Sequence, residues 1–531
     1  MQLQRRIGLV GLTFAAFTGM VGSGWLFGPM LTAQVAGPAA LLAWAIGGVA
    51  MFLLALSFAE VSGTLPLAGG VARIPHFSHG STTSMVMGWS AWIGYCSTAP
   101  IETAVMLRYA SEVMPWLYLP GHSGETDFTT IGWIFAVAVL AMFVVINAFG
   151  VALFAKINNT ITWFKLAIPL LIVAVLLYDS FDGSNLTDHG GFMPYGWAGV
   201  MAAVSTGGVI FSFIGFRHAI DLAGEAENPQ VNLPLSLMLA ILISLVLYVL
   251  LQLAFMGAVP GDLLSGGWSK LHFGQNLGPL AGVAMAVGLV WMSSIVLAGA
   301  VVGPFGGALV AVGSNARLLY GMARNKSMPR VLENLSGSGV PMIAMLVNFV
   351  IGAVMLFVPF ETIVALNGSA ITLSFVAGPI AIYAFRKELP DRLRVFKAPF
   401  APAVGVIGML VVTLVVYWSG WHTTKILIAV IAVGILLYPL LRQRADGEPS
   451  HWRRALWLVP YLGGLALLSW LGNFGGGEEV IPFGWDLLVA LALAVMGFVL
   501  AFMSRTRRPE LLAMIAHHKV DEVILTDSTP Y

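Results

Sequence analysis

The stretch GMVGSGWLFGPM, Gly19–Met30, decides how the whole chain is read. It lies inside the first of many apolar runs, yet it carries glycine at 19, 22, 24 and 28 and proline at 29. Inside a helix glycine costs about 1 kcal/mol relative to alanine, and proline about 3 kcal/mol. Such a cluster either lets another helix approach closely, as the GxxxG spacing of Gly24 and Gly28 allows, or it interrupts the helix. In lipid an interrupted helix persists only where its freed backbone groups meet protein or a water-filled cavity. The released amides can hold a carboxylate, with the positive end of the following half-helix behind them.

The surroundings make lipid the right solvent to consider. The chain has 531 residues, is 58% hydrophobic and 10% charged, and has a mean hydropathy of +0.88. That composition, with apolar runs near bilayer length from end to end, reads as an all-α polytopic membrane protein. A net charge of +1 speaks against a nucleic-acid partner, which would need a basic face. Cys96 is the only cysteine, so an intrachain disulfide and a cysteine-based zinc cluster are excluded. The first apolar run is too long for a signal-peptide core and shows no cleavage site.

Fourteen spans are expected, starting near Ile7, Gly37, Met85, Ile131, Lys156, Gly196, Pro234, Ala284, Pro341, Thr362, Ala401, Lys425, Ala455 and Asp486. With the N-terminus in the cytoplasm, 22 of the 26 Lys and Arg residues fall in cytoplasmic segments. Only Lys270 and Lys425 fall outside, and Arg108 and Lys165 lie within spans. This is the positive-inside distribution of an inner-membrane protein with both termini cytoplasmic. The outer loops, such as HSGETDF and DSFDGSNLTDHGG, are short and acidic. From 504 to 531 the chain reads as a solvated cytoplasmic tail, with a helical turn or two in RPELLAMIAHHK as the alternative.

A second apolar run breaks the same way. STGGVIFSFIGFRHAIDLAGEAENPQVNLP, from Ser205, holds Gly207, Gly208 and Gly215 and turns polar before Asn228-Pro229. Paired interruptions in corresponding spans point to a transporter site, and here they fall in spans one and six.

Four stretches then resemble one family. IGLVGLTFAAFTGMVGSGWLFGP resembles its first span; FAEVSGTLPLAGGVARIPHF resembles the signature after span two. FSFIGFRHAIDLAGEAENPQVNLP resembles its sixth span and Glu-x-x-Asn-Pro loop, and ARLLYGMARNKSMPRVLENLSGSGVP resembles the signature after span eight. The chain is similar to amino acid permeases of the amino acid/polyamine/organocation (APC) superfamily, in particular the aspartate–proton symporter-like branch. Trp25 stands where many relatives have isoleucine, and Asn325-Lys326 replaces the usual Asp-Gly.

The resemblance implies two inverted five-span repeats, over 1–178 and 196–385, followed by spans 11–14 over 401–503. It places the substrate α-carboxylate on the amides of Gly22, Ser23 and Gly24, beside Trp25, and the amino group on carbonyls around Phe211, Ser212, Phe213, Ile214 and Gly215. It also places Lys165 near a lysine that occupies a sodium position in some proton-coupled relatives. Intramembrane charge is a functional candidate by default; for Lys165 the competing reading is snorkelling to the cytoplasmic face. Glu102 is a proton or substrate-amine site, or a structural partner of another helix. Six residues on, Arg108 points about 240° away and snorkels outward. Glu60 reads as half of an ion pair, and Arg217 and His218 as positive-inside charge on the inner half-helix, with attraction of an acidic substrate or a gate as the alternative. Phe27, Phe211, Phe213, Phe216 and Trp25 adjoin the breaks as candidate lids.

The function these readings imply is secondary amino acid transport by proton symport, with an acidic amino acid as substrate. Exchange of amino acids, or binding without transport, stands as the alternative. No lysine follows a glycine and no histidine precedes a glutamate, so neither a Walker A loop nor HExxH is present. No cofactor and no enzymatic activity are expected. The partners are an amino acid, a proton and the bilayer.

Overall fold

The computed structural model describes residues 5–111, 113–119, 128–273, 278–443 and 451–518. The first four residues, His122–Asp127 of the HSGETDF stretch, Arg444 and the tail beyond His518 lie outside the described residues. Among the described residues every element is helical; the only β features are single bridges, Ile7–Ala226 and Tyr118–Phe128. Ten helical stretches are long and apolar enough to cross a membrane, or eleven when one bent pair counts as a span.

The first expected span is two helices, α1 (Leu9–Met20) and α2 (Gly24–Ala36), separated by Val21, Gly22 and Ser23. Then come α3 (Ala40–Thr64), a short connecting helix α4 (Gly70–His79), α5 (Ser81–Ala110), α6 (Thr130–Ala148) and α7 (Val151–Asp179). The sixth expected span is also divided, into α8 (Gly196–Thr206), α9 (Val209–Phe213) and α10 (Arg217–Asp221). Its halves meet at 42° across Gly207-Gly208, and a tight 3-10 turn over Ile214–Phe216 joins α9 to α10. Next are α11 (Pro229–Ala258), α12 (Pro279–Ala286), α13 (Val290–Arg324), α14 (Met342–Met355), α15 (Phe360–Ser374) and α16 (Ala377–Glu388). The C-terminal part holds α17 (Ala401–Trp418), α18 (Trp421–Leu441), α19 (Leu458–Leu471), α20 (Trp485–Met503) and α21 (Arg508–His517).

Three of the four family-like stretches interlock at one face. Gly69, at φ +69°, sits so close to α13 that a Cβ would stand 2.5 Å from the Arg317 carbonyl and 3.2 Å from Gly321 Cα. Only glycine takes that conformation at that distance without strain. Arg317 in turn binds Glu225 of the sixth-span loop at 2.5 and 2.8 Å, both side chains buried. Asn228 supplies a left-handed residue at φ +40° that Pro229 can follow into α11. Glu60 behaves as expected: it accepts from Arg386 at 2.7 and 2.5 Å and from the Ala398 amide at 2.8 Å, with Arg394 at 3.4 Å.

One departure from the family pattern carries strain. Lys326 has φ +62°, the left-handed region where a side chain costs about 1 kcal/mol or more. Lys326→Gly is therefore expected to stabilise the protein by about 1 kcal/mol, less the entropy glycine adds to the unfolded chain. A rise in detergent melting temperature with unchanged transport checks this.

Part of the expected solvated tail, Arg508–His517, is instead a docked helix. Glu510 of α21 pairs with Arg454 (2.8 Å at one oxygen) and His451 (2.8 Å), and Leu511 and Ile515 are buried. Arg505 donates to Glu388 at 2.7 Å, and the His518 ring packs edge-on to His76 and Phe77 at 5.2 and 5.5 Å. The helix folds back because Leu511 and Ile515, one turn apart, are buried and Glu510 meets Arg454 and His451. Burial, with Arg73 nearby, pushes His518 down to about 3, and burial holds His76 well below the ordinary histidine range. Both rings are thus neutral when docked, so docking is fully stable above pH 6.5 and weakens as pH falls below it, by at most about 1.4 kcal/mol per unit for each ring. The pairing with Arg454 lowers Glu510, so its own loss begins only below the ordinary carboxylate range. Amide exchange in α21, corrected for intrinsic rate, should be faster at pH 5.5 than at 7.5, and His518→Phe should reduce the difference.

Candidate functional site

At the end of α1 and the start of α2, helical bonding stops and side chains take over. Val21 donates to the Phe17 carbonyl as the last turn closes. The Met20 carbonyl accepts from the Tyr248 hydroxyl at 2.7 Å, and the Thr18 carbonyl accepts from Lys165 Nζ at 2.7 Å. Across the gap the Ser23 amide donates to Glu102 Oε1 at 3.3 Å. A cation thus caps the negative end of one half-helix and a carboxylate caps the positive end of the other. Lys165 and Glu102 are each 3% exposed. They lie over neighbouring glycines of α13: a Cβ on Gly306 would stand 3.1 Å from Lys165 Nζ, and one on Gly307 3.1 Å from Glu102 Cδ. The snorkelling reading of Lys165 is therefore set aside, because its ammonium points into the protein.

The second break faces the first. Gly208 turns left-handed at φ +85°; its carbonyl accepts from the Ser212 amide at 3.0 Å and the Ser212 hydroxyl at 2.9 Å. Thr32 of α2 donates to the Gly207 carbonyl at 3.0 Å. Gly215 meets the backbone of Gly19 and Met20 so closely that a Cβ would stand 2.1 Å from Gly19 C. Tyr248, 2.7 Å from the Met20 carbonyl and 3.3 Å from that of Ser212, binds across both broken segments.

Between the breaks lies a cavity of about 410 Å³, within the size range of small-molecule sites. Ser23 and Gly24 of the first break line it, with Phe27 and Leu31, and so do Gly208 and Phe211 of the second. The first set recurs at three- and four-residue spacing, one stripe of α2; the second, with Ile210, is the left-handed Gly208 and the first turn of α9. Off-stripe residues of the expected site lie elsewhere. Gly22 faces Glu102, and Trp25 packs on Gly299 and Gly303 of α13. Ser212 touches Gly24, Phe213 sits between Trp44 and Tyr248, Ile214 is buried, and Gly215 meets α1. The reason is that α9 resumes helical geometry directly after Gly208, which turns Ser212 and Phe213 away from the face that Ile210 and Phe211 present.

Other lining residues had no strong signal in the sequence. Ile101 and Val105 come from α5, Gly368 and Ser369 from α15, Ser419 from the end of α17 and Thr423 from α18. Asn367-Gly368-Ser369 is the one legible hint, a polar, glycine-containing step inside an apolar run. Among the described lining residues there are hydroxyls but no charged side chain.

Arg217 and His218 are not surface charges on an inner half-helix. Arg217 is 1% exposed, lies 3.5 Å over the Tyr95 ring and donates to Thr98 at 3.0 Å. His218 Nδ1 lies 2.6 Å from the Ser314 hydroxyl. They turn inward because α1, α5 and α13 close over α10. The same side is shut by Arg6 and Ile7 amides on the Glu225 carbonyl at 3.0 Å each, and by the Arg317–Glu225 pair. Arg108, by contrast, sits in the last turn of α5 over the Tyr118 ring at 5.3 Å.

The sequence pattern of the family described as amino acid permease matches residues 7–442. The chain belongs to the amino acid permease family. Across 512 residues, 95% of this permease and 94% of its relative, it is 34% identical to the glutamate/serine transporter AimA of Bacillus subtilis. It is 30% identical to the aspartate-proton symporter of the same organism over 92% of this permease and 94% of the symporter. The aromatic amino acid transport protein AroP of Escherichia coli O157:H7 is 23% identical over 75% of this permease and 85% of AroP. This permease is thus a multi-pass membrane protein of the APC superfamily, and these three relatives are amino acid transporters.

Proposed function

We propose that this permease carries an amino acid across the cell membrane by alternating access, coupled to a proton, with the substrate held between the two broken segments. The observation that carries the reading is the cavity walled by Ser23 and Gly24 on one side and Gly208 and Phe211 on the other. The carboxylate would rest on amides at the start of α2 and the amino group near carbonyls of the second break, as suits a zwitterion. Lys165, tied to the Thr18 carbonyl at 2.7 Å, and Glu102, bound to the Ser23 amide at 3.3 Å, form the coupling pair in this reading. With the arginine-rich face in the cytoplasm, the closed side at Glu225–Arg317 is the inner one and the cavity belongs to an outward-facing state. Fourteen spans, of which the first ten form two inverted repeats, complete the proposal; a single divided helix opens each repeat.

An acidic substrate follows from two relatives, a glutamate/serine transporter and an aspartate-proton symporter. The lining favours a second reading, a small neutral amino acid such as serine, because it offers hydroxyls and no cation. Uptake of labelled glutamate into proteoliposomes, challenged in turn by unlabelled aspartate, serine and leucine, separates these. A pH gradient alone should drive accumulation. Uptake only into preloaded vesicles would establish exchange and end the symport reading.

A further inference from the structure

The proposed carboxylate site already contains a carboxylate. Glu102 reaches from α5 to the start of α2, where its Oε1 accepts from the Ser23 amide at 3.3 Å. Room for it exists because two glycines stand opposite: a Cβ on Gly22 would come 2.2 Å from Oε1, and one on Gly307 3.1 Å from Cδ. Oε2 is buried and has no hydrogen-bond partner among the described residues. The amides of Gly22 and Gly24 flank the Ser23 amide and have no partner there either. Glu102 therefore occupies the middle of the three amides that an amino acid's α-carboxylate would need.

We propose that Glu102 is a built-in occupant of the substrate-carboxylate site, and that an incoming amino acid carboxylate is accepted only as Glu102 takes up a proton. This rests on the amino acid reading above and deepens it by naming the step in which substrate and proton meet. Two carboxylates sharing one set of amides away from bulk water do not both stay ionised. One proton comes from solvent and stays on Glu102. The Ser23 N–H turns from Oε1 to the substrate, and the new Glu102 O–H becomes a donor to the substrate carboxylate. Release reverses each transfer. The titratable groups facing Glu102 are Lys165 from α7 and Tyr248 from α11. Lys165 holds the Thr18 carbonyl and Tyr248 the Met20 carbonyl. The α13 side presents Gly307, and α2 presents backbone and Ser23.

The test is calorimetric titration of the purified full-length permease with L-serine and L-glutamate, and with their α-amides, in buffers of different ionisation enthalpy. Wild-type protein should take up about one proton per α-carboxylate bound, and affinity should tighten about tenfold per unit fall in pH where Glu102 is ionised. Glu102→Gln should bind with no proton uptake and an affinity flat between about pH 6 and 8. The α-amides should bind wild-type protein without uptake. Wild-type binding with no proton uptake overturns the proposal, and so does Glu102→Gln binding with a full proton. If Glu102→Gln fails to bind, equal proton counts for acid and amide on wild-type protein overturn it instead. Gly24→Leu keeps the two readings apart. Unimpaired binding there removes the site itself, whereas lost binding there with a full proton count in Glu102→Gln removes only the role given to Glu102.

Discussion

Gly24→Leu is expected to lower amino acid affinity by a factor of about 100 or more in a protein that still inserts and runs as a folded species. Gly24 opens α2 and faces the second break at contact distance: a Cβ there would stand 2.5 Å from the Ser212 hydroxyl and 3.4 Å from Ser212 Cβ. A leucine has nowhere to go but into the cavity or against α9. Overpacking of this kind costs about 1–3 kcal/mol, and about 2.7 kcal/mol of it falling on the bound state is a hundredfold in affinity. The geometry also supplies its own control. Gly24→Ala should bind weakly, and Gly24→Ala combined with Ser212→Ala should recover much of the loss, since removing the hydroxyl leaves the new methyl at ordinary contact distance. The rescue distinguishes a crowded site from a misfolded one. Normal affinity in Gly24→Leu would show that substrate does not sit between the breaks.

The second large effect is expected at Lys165. Lys165→Met keeps the length of the side chain but leaves the Thr18 carbonyl without its donor, at a cost of about 1–3 kcal/mol. It also removes the ammonium facing Glu102 across Gly306-Gly307. In proteoliposomes with an imposed pH gradient, accumulation should collapse to a concentration ratio of about one. Exchange of labelled for unlabelled substrate should survive. One coupled proton is worth tenfold accumulation per pH unit, so a one-unit gradient reads the loss clearly. Accumulation persisting with normal pH dependence would show that Lys165 is structural only. A protein that loses exchange as well would place it in the binding or gating geometry instead.

Much of this molecule is legible from composition and local pattern. Glycine clusters at Gly22–Gly24 and Gly207-Gly208 point to two helices that stop because they recur in corresponding spans; glycine number alone does not decide it, since α13 runs unbroken through Gly303, Gly306 and Gly307. Glu60 reads as half of an ion pair because a carboxylate near a basic face has few other options. The path of the second break is less legible. Gly215 looks like part of the interruption, yet it is a point of contact where the 3-10 turn over Ile214–Phe216 crosses α1. Its missing side chain serves packing, which a single sequence cannot distinguish from a missing hydrogen bond.

Membrane residence, helical class, the two interruptions and membership of this family were all decided by the chain's own local chemistry. Hydrophobic length, glycine placement and motif order act on neighbouring residues and need no fold to be read. Which residues face the cavity was decided only when α2, α5, α9 and α15 came together, because facing depends on helical rotation and on what each neighbour presents. The same assembly brought Glu102 to the Ser23 amide, turned Arg217 inward over Tyr95, and folded α21 back onto α4. Each of those contacts joins residues far apart in the chain, where periodicity carries no information about partners.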